Sequence, residues 1–160
     1  MVIDRFEGTY DWLSNFYLTQ VEYEGAWYPS SEHAYQAAKT LNLAERVPFQ
    51  SSNVSSAAAK KMGRRLTMRT DWDQVKLQVM ETILRSKFKQ DSELAYKLVD
   101  TSPSELIEGN WWHDTYWGVC NRVGQNHLGK LLMKLRTELH QIHGYRGPGG
   151  LYYAEPYNGN

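Results

Sequence analysis

The chain carries its clearest signal near its end. In "HLGKLLMKLRTELHQIH", Leu128, Leu131, Leu132, Leu135, Leu139 and Ile142 recur at helical spacing and form one apolar stripe. Asp71 precedes a second such run, with Trp72, Val75, Val79, Ile83, Leu84 and Phe88 at helical positions, and predicts a capped helix. Asp91 or Ser92 opens a shorter helix to about Val99, which "TSPS" stops. The alanine run of "SNVSSAAAKKMGRRL" predicts another, capped by Ser52 or Asn53. "YPSSEHAYQAAKTL" begins with Pro29, Ser30, Ser31 and Glu32, residues suited to a helix start, and predicts a helix over roughly 30–43. Strand signals are fewer. Residues 16–28 alternate loosely around Glu24-Gly25 and predict a hairpin, and "ELIEGN" suits a strand. The pattern predicts a mainly α domain with small β elements over residues 1–143. Residues 144–160 form a tail rich in glycine, proline and tyrosine, with only Arg146 and Glu155 charged. Its plain interpretation is a flexible extension, and the alternative is that its tyrosines fold over a pocket.

Composition narrows the function classes. A chain of 160 residues suits one domain, and 18 basic against 18 acidic residues give no net charge. That argues against coating nucleic acid by charge, but leaves a nucleotide or one modified base as ligand. Cys120 is the only cysteine, so no internal disulfide forms. "MVIDRFEGTY" lacks the basic and apolar regions of a signal peptide, and no apolar stretch reaches membrane-spanning length. A cytoplasmic protein is expected, or a nuclear one, with no membrane partner.

Within the predicted helix over 30–43, Glu32, Gln36 and Lys39 stand at i, i+4 and i+7 and share one face. Glu32 lies in the first turn, where the helix dipole favours a carboxylate that orients water or faces developing positive charge. Ordinary capping and a solvated face explain the same three residues. His33 points about a quarter turn away. None of the five histidines pairs at zinc-like spacing, and His140 with His143 suits a helix C-terminus better than a metal, so neither metal nor cofactor is expected. Lys60, Lys61, Arg64 and Arg65 cluster at helical spacing and invite a phosphate, or else form a solvated face. "NWWHDTYWGVCN" combines three tryptophans with Asp114 and Gly118 and no period, as a loop forming a ligand wall does. Its alternative is a loop whose tryptophans plug the core. Ser14 and Asn15 in "DWLSNFY" are turn residues with side chains able to bind a ligand. Phosphate-binding glycine loops, a nucleophile elbow and a Cys–His pair are all missing from the sequence.

The segments "LSNFY" (13–17), "YPSSEHAYQAAK" (28–39), "AKKMGRR" (59–65), "YWG" (116–118) after Asp114 and "NHLGKLLMKLR" (126–136) occur in an order that resembles the NADAR family. The resemblance spans roughly residues 11–138. It implies a mostly helical domain with small strands and N-glycosidase chemistry at C1 of a ribose phosphate. ADP-ribosylated guanine, carried on a single-stranded nucleic acid, is the first implied substrate. Early phosphoribosyl intermediates of the riboflavin pathway are the second, and a non-catalytic ADP-ribose-binding module is the alternative. On this resemblance Glu32 stabilises an oxocarbenium-like sugar and activates water. Lys39 forms an imine with the opened sugar, or simply holds ribose or phosphate. Asp114 positions ribose hydroxyls or assists the leaving nitrogen. Trp117 stacks on a ring, with Asn15 and Phe16 closing the other side, and Arg64 and Arg65 take phosphate. Ser14, His33, Gln36, Gly118 and Asn126 complete the implied substrate-binding set. The loop "VCNRVGQ" departs from the family's glycine-rich pattern, since Gly124 is its only glycine. Arg122 stands as the substitute.

Overall fold

The computed structural model describes residues 1–90 and 92–143. In chain order it forms β1 (Val2–Ile3), β2 (Leu18–Tyr23), β3 (Ala26–Ser30), α1 (Ser31–Ala37), α2 (Leu43–Arg46), α3 (Ser56–Met62), α4 (Trp72–Lys87), α5 (Glu93–Asp100), β4 (Glu105–Leu106), β5 (Gly109–Asn110), β6 (Val119–Cys120) and α6 (His127–His143). Short 3-10 turns occupy Gly8–Leu13, Val47–Gln50 and Gly63–Arg65. The expected mainly α fold with small β elements is what the chain adopts. Both assignments made for the tail, and Asp91 as a helix start, lie outside the described residues. No helix among the described residues is long and apolar enough to cross a membrane.

Residues Phe6–Lys87 make one unit. In its hairpin, β2 pairs antiparallel with β3 across Glu24-Gly25, both in left-handed backbone at φ 47 and 83. That conformation suits a tight turn between twisted strands. The hairpin runs directly into α1, because Ser30 ends β3 and also caps the helix by accepting from the His33 amide at 3.2 Å. Every residue of α1 is buried, polar ones included. A helix enclosed on all sides has no room for a solvated face. Alongside it, α4 contacts both α1 and β2 and buries Val79, Met80, Ile83 and Leu84, each worth about 1.5–3 kcal/mol of transfer free energy.

Several expectations need correction in this unit. The first helix stops at Ala37 instead of about 43. Past that point Lys39 N bonds Gln36 O at 3.1 Å and Thr40 N bonds Ala37 O at 3.3 Å, a tightening turn. Lys39 O is drawn off by the Arg69 amide at 2.7 Å, and Asn42 starts α2 by accepting from Ala44 N at 3.0 Å. The cap of α3 is Ser55, accepting from Ala58 N at 3.0 Å, and not Ser52 or Asn53. Leu43–Arg46 and Val47–Gln50 form two helical segments where the sequence reading assigned no element, since four residues each are too few to show a period.

The second unit joins Met1–Arg5 to the chain from Phe88 onward. Here β1 pairs parallel with β4, and β5 parallel with β6. The predicted strand "ELIEGN" is therefore two, β4 and β5, with Ile107 and Glu108 between them. Ser92 caps α5, its hydroxyl accepting from Ala95 N at 3.1 Å. The stripe of α6 buries Leu128, Leu132, Leu135 and Leu139, but Ile142 is exposed, one turn past where the buried stripe ends.

Candidate active site

The turn Ser14–Tyr17 seats the start of α1. Tyr17 N closes it on Ser14 O at 3.2 Å, and Ser14 Oγ accepts from Phe16 N at 3.1 Å. Its carbonyls are then taken by other segments. Lys87 Nζ donates to Ser14 O at 2.7 Å, Glu32 N to Asn15 O at 3.0 Å, and Ser56 Oγ to Phe16 O at 2.8 Å. Three motifs of the sequence, "LSNFY", "PSSEH" and the "SS" before the alanine run, thus meet through backbone oxygens.

Glu32 is only 7% exposed. Its Oε1 accepts from Gln36 Nε2 at 2.7 Å, one helical turn on. That bond orients the Gln36 amide, whose Oε1 then lies against Gly63. A Cβ at 63 would collide with Gln36 Oε1 and crowd the amide carbon at 2.7 Å. Gly63 was missed by sequence reading as a site residue, although its place between two basic pairs in "KKMGRR" marks a position where a side chain is excluded. Gly63→Ala is expected to push Gln36 off Glu32. The overpacking costs about 1–3 kcal/mol, and turnover should fall by more than that stability loss explains. Urea midpoints beside turnover at a temperature where both proteins are folded check this.

Lys39 is not on the helix stripe at i+7, since the helix has ended before it. It lies in the following turn, half-buried, with Nζ 5.5 Å from the Tyr35 ring centroid. Burial pushes its amine below the usual lysine range. The Glu32 carboxylate opposes that shift, while the charges of Lys60, Lys76 and Arg64 add to it. Glu32 and Lys39 thus sense each other's charge without the helical register that was expected to align them.

His33 is fully buried and committed to the fold. Nε2 lies 2.6 Å from Val54 O, and Nδ1 lies 2.6 Å from Ser30 Oγ. A carbonyl only accepts, so Nε2 carries the proton and Nδ1 accepts from the serine hydroxyl. With both nitrogens engaged, His33 braces the helix start; it does not reach a ligand. Burial lowers its pKa, partly opposed by the Val54 bond. The unfolded chain therefore takes up a proton near the ordinary 6.5 before the folded one does. Stability from this group is full above about pH 6.5 and lost as pH falls through the lower native value. Melting temperature should drop between pH 7.5 and 5, and the His33→Gln variant should lose most of that dependence.

Lys60, Lys61, Arg64 and Arg65 are all exposed. They are not one continuous helix, because α3 ends at Met62 and Gly63–Arg65 is 3-10. Lys60 Nζ stands 6.0 Å from the ring of Phe16, itself 41% exposed. Lys60 and Arg64 are the two whose charge reaches Lys39.

The remaining predicted residues belong to the second unit and gather among themselves. Asp114 Oδ1 accepts from Tyr116 N at 3.1 Å and Trp117 N at 2.9 Å, so it folds the loop instead of presenting that oxygen to a ribose. Asn110 ties this loop to Glu108, with Nδ2 donating to Glu108 Oε2 at 3.0 Å and to Asp114 O at 2.8 Å. Gly118 has no space for a Cβ, which would collide with Glu108. Asn126 is buried, accepts from Glu108 N at 3.0 Å and donates to Leu106 O at 2.9 Å. These are framing roles. Trp117 is half-buried, edge-on to Tyr116 at 4.8 Å. The idea that loop tryptophans plug the core does not hold: Trp111 is 79% exposed and Trp112 41%. In the loop that departs from the family's glycine-rich pattern, Asn121 and Arg122 take left-handed backbone at φ 51 and 66 and make a two-residue turn closed by Cys120 and Val123. Arg122 thus serves the turn by its backbone.

Three buried polar atoms have no hydrogen-bond partner among the described residues: Asn15 Oδ1, Ser31 Oγ and Gln36 Oε1. All three belong to the first unit and to the segments around Glu32. Leaving a buried acceptor unmet costs about 1–3 kcal/mol. Among the described residues no group of three or more His, Cys, Asp or Glu side chains gathers as a metal site would.

Residues 4–140 match the model of the NADAR domain. A protein of Shigella flexneri serotype 5b named N-glycosidase YbiA is 41% identical over 131 residues, covering 79% of this chain and 80% of its own. A riboflavin biosynthesis protein of Vibrio vulnificus is 36% identical over 132 residues, which are 81% of this chain and 35% of that protein. The NMR structure of the E. coli protein YbiA matches with a TM-score of 0.77 and 34% identity, over 93% of this chain and 90% of that one.

Proposed function

The chain belongs to the NADAR family, and on that premise we propose that it is an N-glycosidase, hydrolysing the bond between C1 of a ribose and a nitrogen. The observation that carries this is the buried carboxylate of Glu32, fixed by Gln36 on a helix with no solvated side. Cleavage of a C1–N bond develops positive charge on the sugar, and a pre-positioned anion in a dry site stabilises it far better than one in water. The same oxygen pair orients the water that adds to C1, while the departing nitrogen takes up a proton. Asn15 Oδ1, Ser31 Oγ and Gln36 Oε1 are acceptors suited to ribose hydroxyls. Lys39 and Arg64 supply positive charge for a phosphate.

Two substrate classes contain that bond. A phosphoribosyl amine of the riboflavin pathway is favoured by the name of the Vibrio relative. ADP-ribosylated guanine in single-stranded nucleic acid is the second class. Turnover of both is to be measured side by side, with a guanine-modified oligonucleotide and a phosphoribosyl aminopyrimidine. Release of ribose 5-phosphate alone selects the first class, and release of ADP-ribose selects the second. Tight ADP-ribose binding without cleavage of either would leave a binding module and end the enzymatic assignment.

A further inference from the structure

Lys87 has no part in the chemistry above, yet it is a lysine held 97% out of solvent at the end of α4, and its place is unusual. Lysines are almost never fully buried unless their ammonium is matched, because the charged form loses its hydration. The Nζ donates to Ser14 O at 2.7 Å and stands 5.8 Å from the Tyr17 ring centroid, so it touches both ends of the four-residue turn. Between those ends, Asn15 O receives the amide of Glu32. A single clamp therefore leads from Lys87 through the turn to the backbone of the proposed catalytic carboxylate.

We propose that Lys87 is a positioning residue: by gripping Ser14 O it fixes the Ser14–Tyr17 turn, and through Asn15 O it sets the position of Glu32. Burial lowers the amine to about 7, against the opposing field of the Asp11 carboxylate. Both protonation states keep an N–H for Ser14 O, so the clamp does not depend on which is present. A methionine in the same place would fill the space without the desolvation cost, so stability alone gives no reason for an amine there. The inference rests on the assignment of Glu32 above.

The test uses the full chain with Lys87→Met, which keeps the volume and removes the donor, and with Lys87→Gln, which shortens the side chain. The same substrate that the wild type turns over serves all variants. The expected result is a kcat lower by roughly tenfold to a hundredfold with KM within about twofold, since misplacement of a reacting group acts on the chemical step. Lys87→Met should melt at or above the wild-type temperature, and the Glu32 amide should exchange its proton faster by NMR in both variants. A merely structural lysine predicts the opposite pairing, with activity lost only in step with melting temperature. The proposal is overturned by an unchanged kcat, or by Glu32 amide exchange equal to wild type. If Glu32→Gln retained full turnover, the catalytic assignment would fall by itself, and the exchange rates alone would judge the clamp.

Discussion

Glu32→Gln is expected to lower turnover by about three orders of magnitude while leaving the protein folded, because only the charge is removed. The replacement has the same volume, and its own carbonyl oxygen can still accept from Gln36 Nε2 in the bond now made at 2.7 Å. Packing around a helix with no exposed residue is therefore undisturbed. What disappears is the anion that the proposed mechanism sets opposite C1 as positive charge builds on the sugar. Circular dichroism melts and single-turnover rates on both substrates check the two halves of this expectation. Turnover within about twofold of wild type would remove Glu32 from the mechanism, whatever the melt shows.

The second large effect is expected at Lys39. Its burial-lowered amine is in part neutral at a pH where an exposed lysine is wholly charged, and a neutral amine is a nucleophile. In the imine route, Nζ displaces the leaving nitrogen at C1, the sugar ring opens, and water then hydrolyses the imine to restore the amine. Lys39→Met should then lose about a hundredfold or more, and borohydride added during turnover should leave a sugar-mass adduct on Lys39 of the wild type only. The pH profile has a definite sign. A nucleophilic lysine gives activity that rises as pH climbs through its depressed pKa, whereas an ammonium that holds phosphate gives activity that falls over the same range. A falling limb with no adduct would assign Lys39 to binding.

The sequence shows the long periodic elements well and the site's construction poorly, for physical reasons. Glu24-Gly25 announces its turn because few residue pairs accept left-handed backbone twice. The stripes of α4 and α6 are long enough for period to dominate. In α1 the same reasoning misleads. "SEHAYQAAK" has the polar face of an amphipathic helix, but the face is buried because its polar groups answer one another and the neighbouring turns: Glu32 with Gln36, His33 with Ser30 and Val54. Its end is set by Arg69, thirty residues away, drawing off Lys39 O, and no local pattern encodes that. Glu32 and Gln36 meet by helical register, but Lys39 enters the electrostatic neighbourhood of Glu32 through a turn. Asp114, Gly118 and Asn126 resemble ligand contacts in sequence because turn-forming and ligand-binding chemistry use the same residue types. Lys87 is silent in sequence, since a lysine at a helix C-terminus is ordinarily solvated.

The complete enclosure of α1 has a consequence for how the protein wears out. Many enzymes inactivate on heating well before they unfold, because catalytic groups ride on loops that open at low free energy. Here the carboxylate sits on a helix buried along its whole length and held by the core of its unit, not on an opening loop. Loss of activity with temperature should therefore follow the unfolding curve of that unit, with no separate earlier inactivation step. Shelf life and heat tolerance then become properties of the core of residues 6–87, and side chains that fill that core better become the direct route to a longer-lived enzyme.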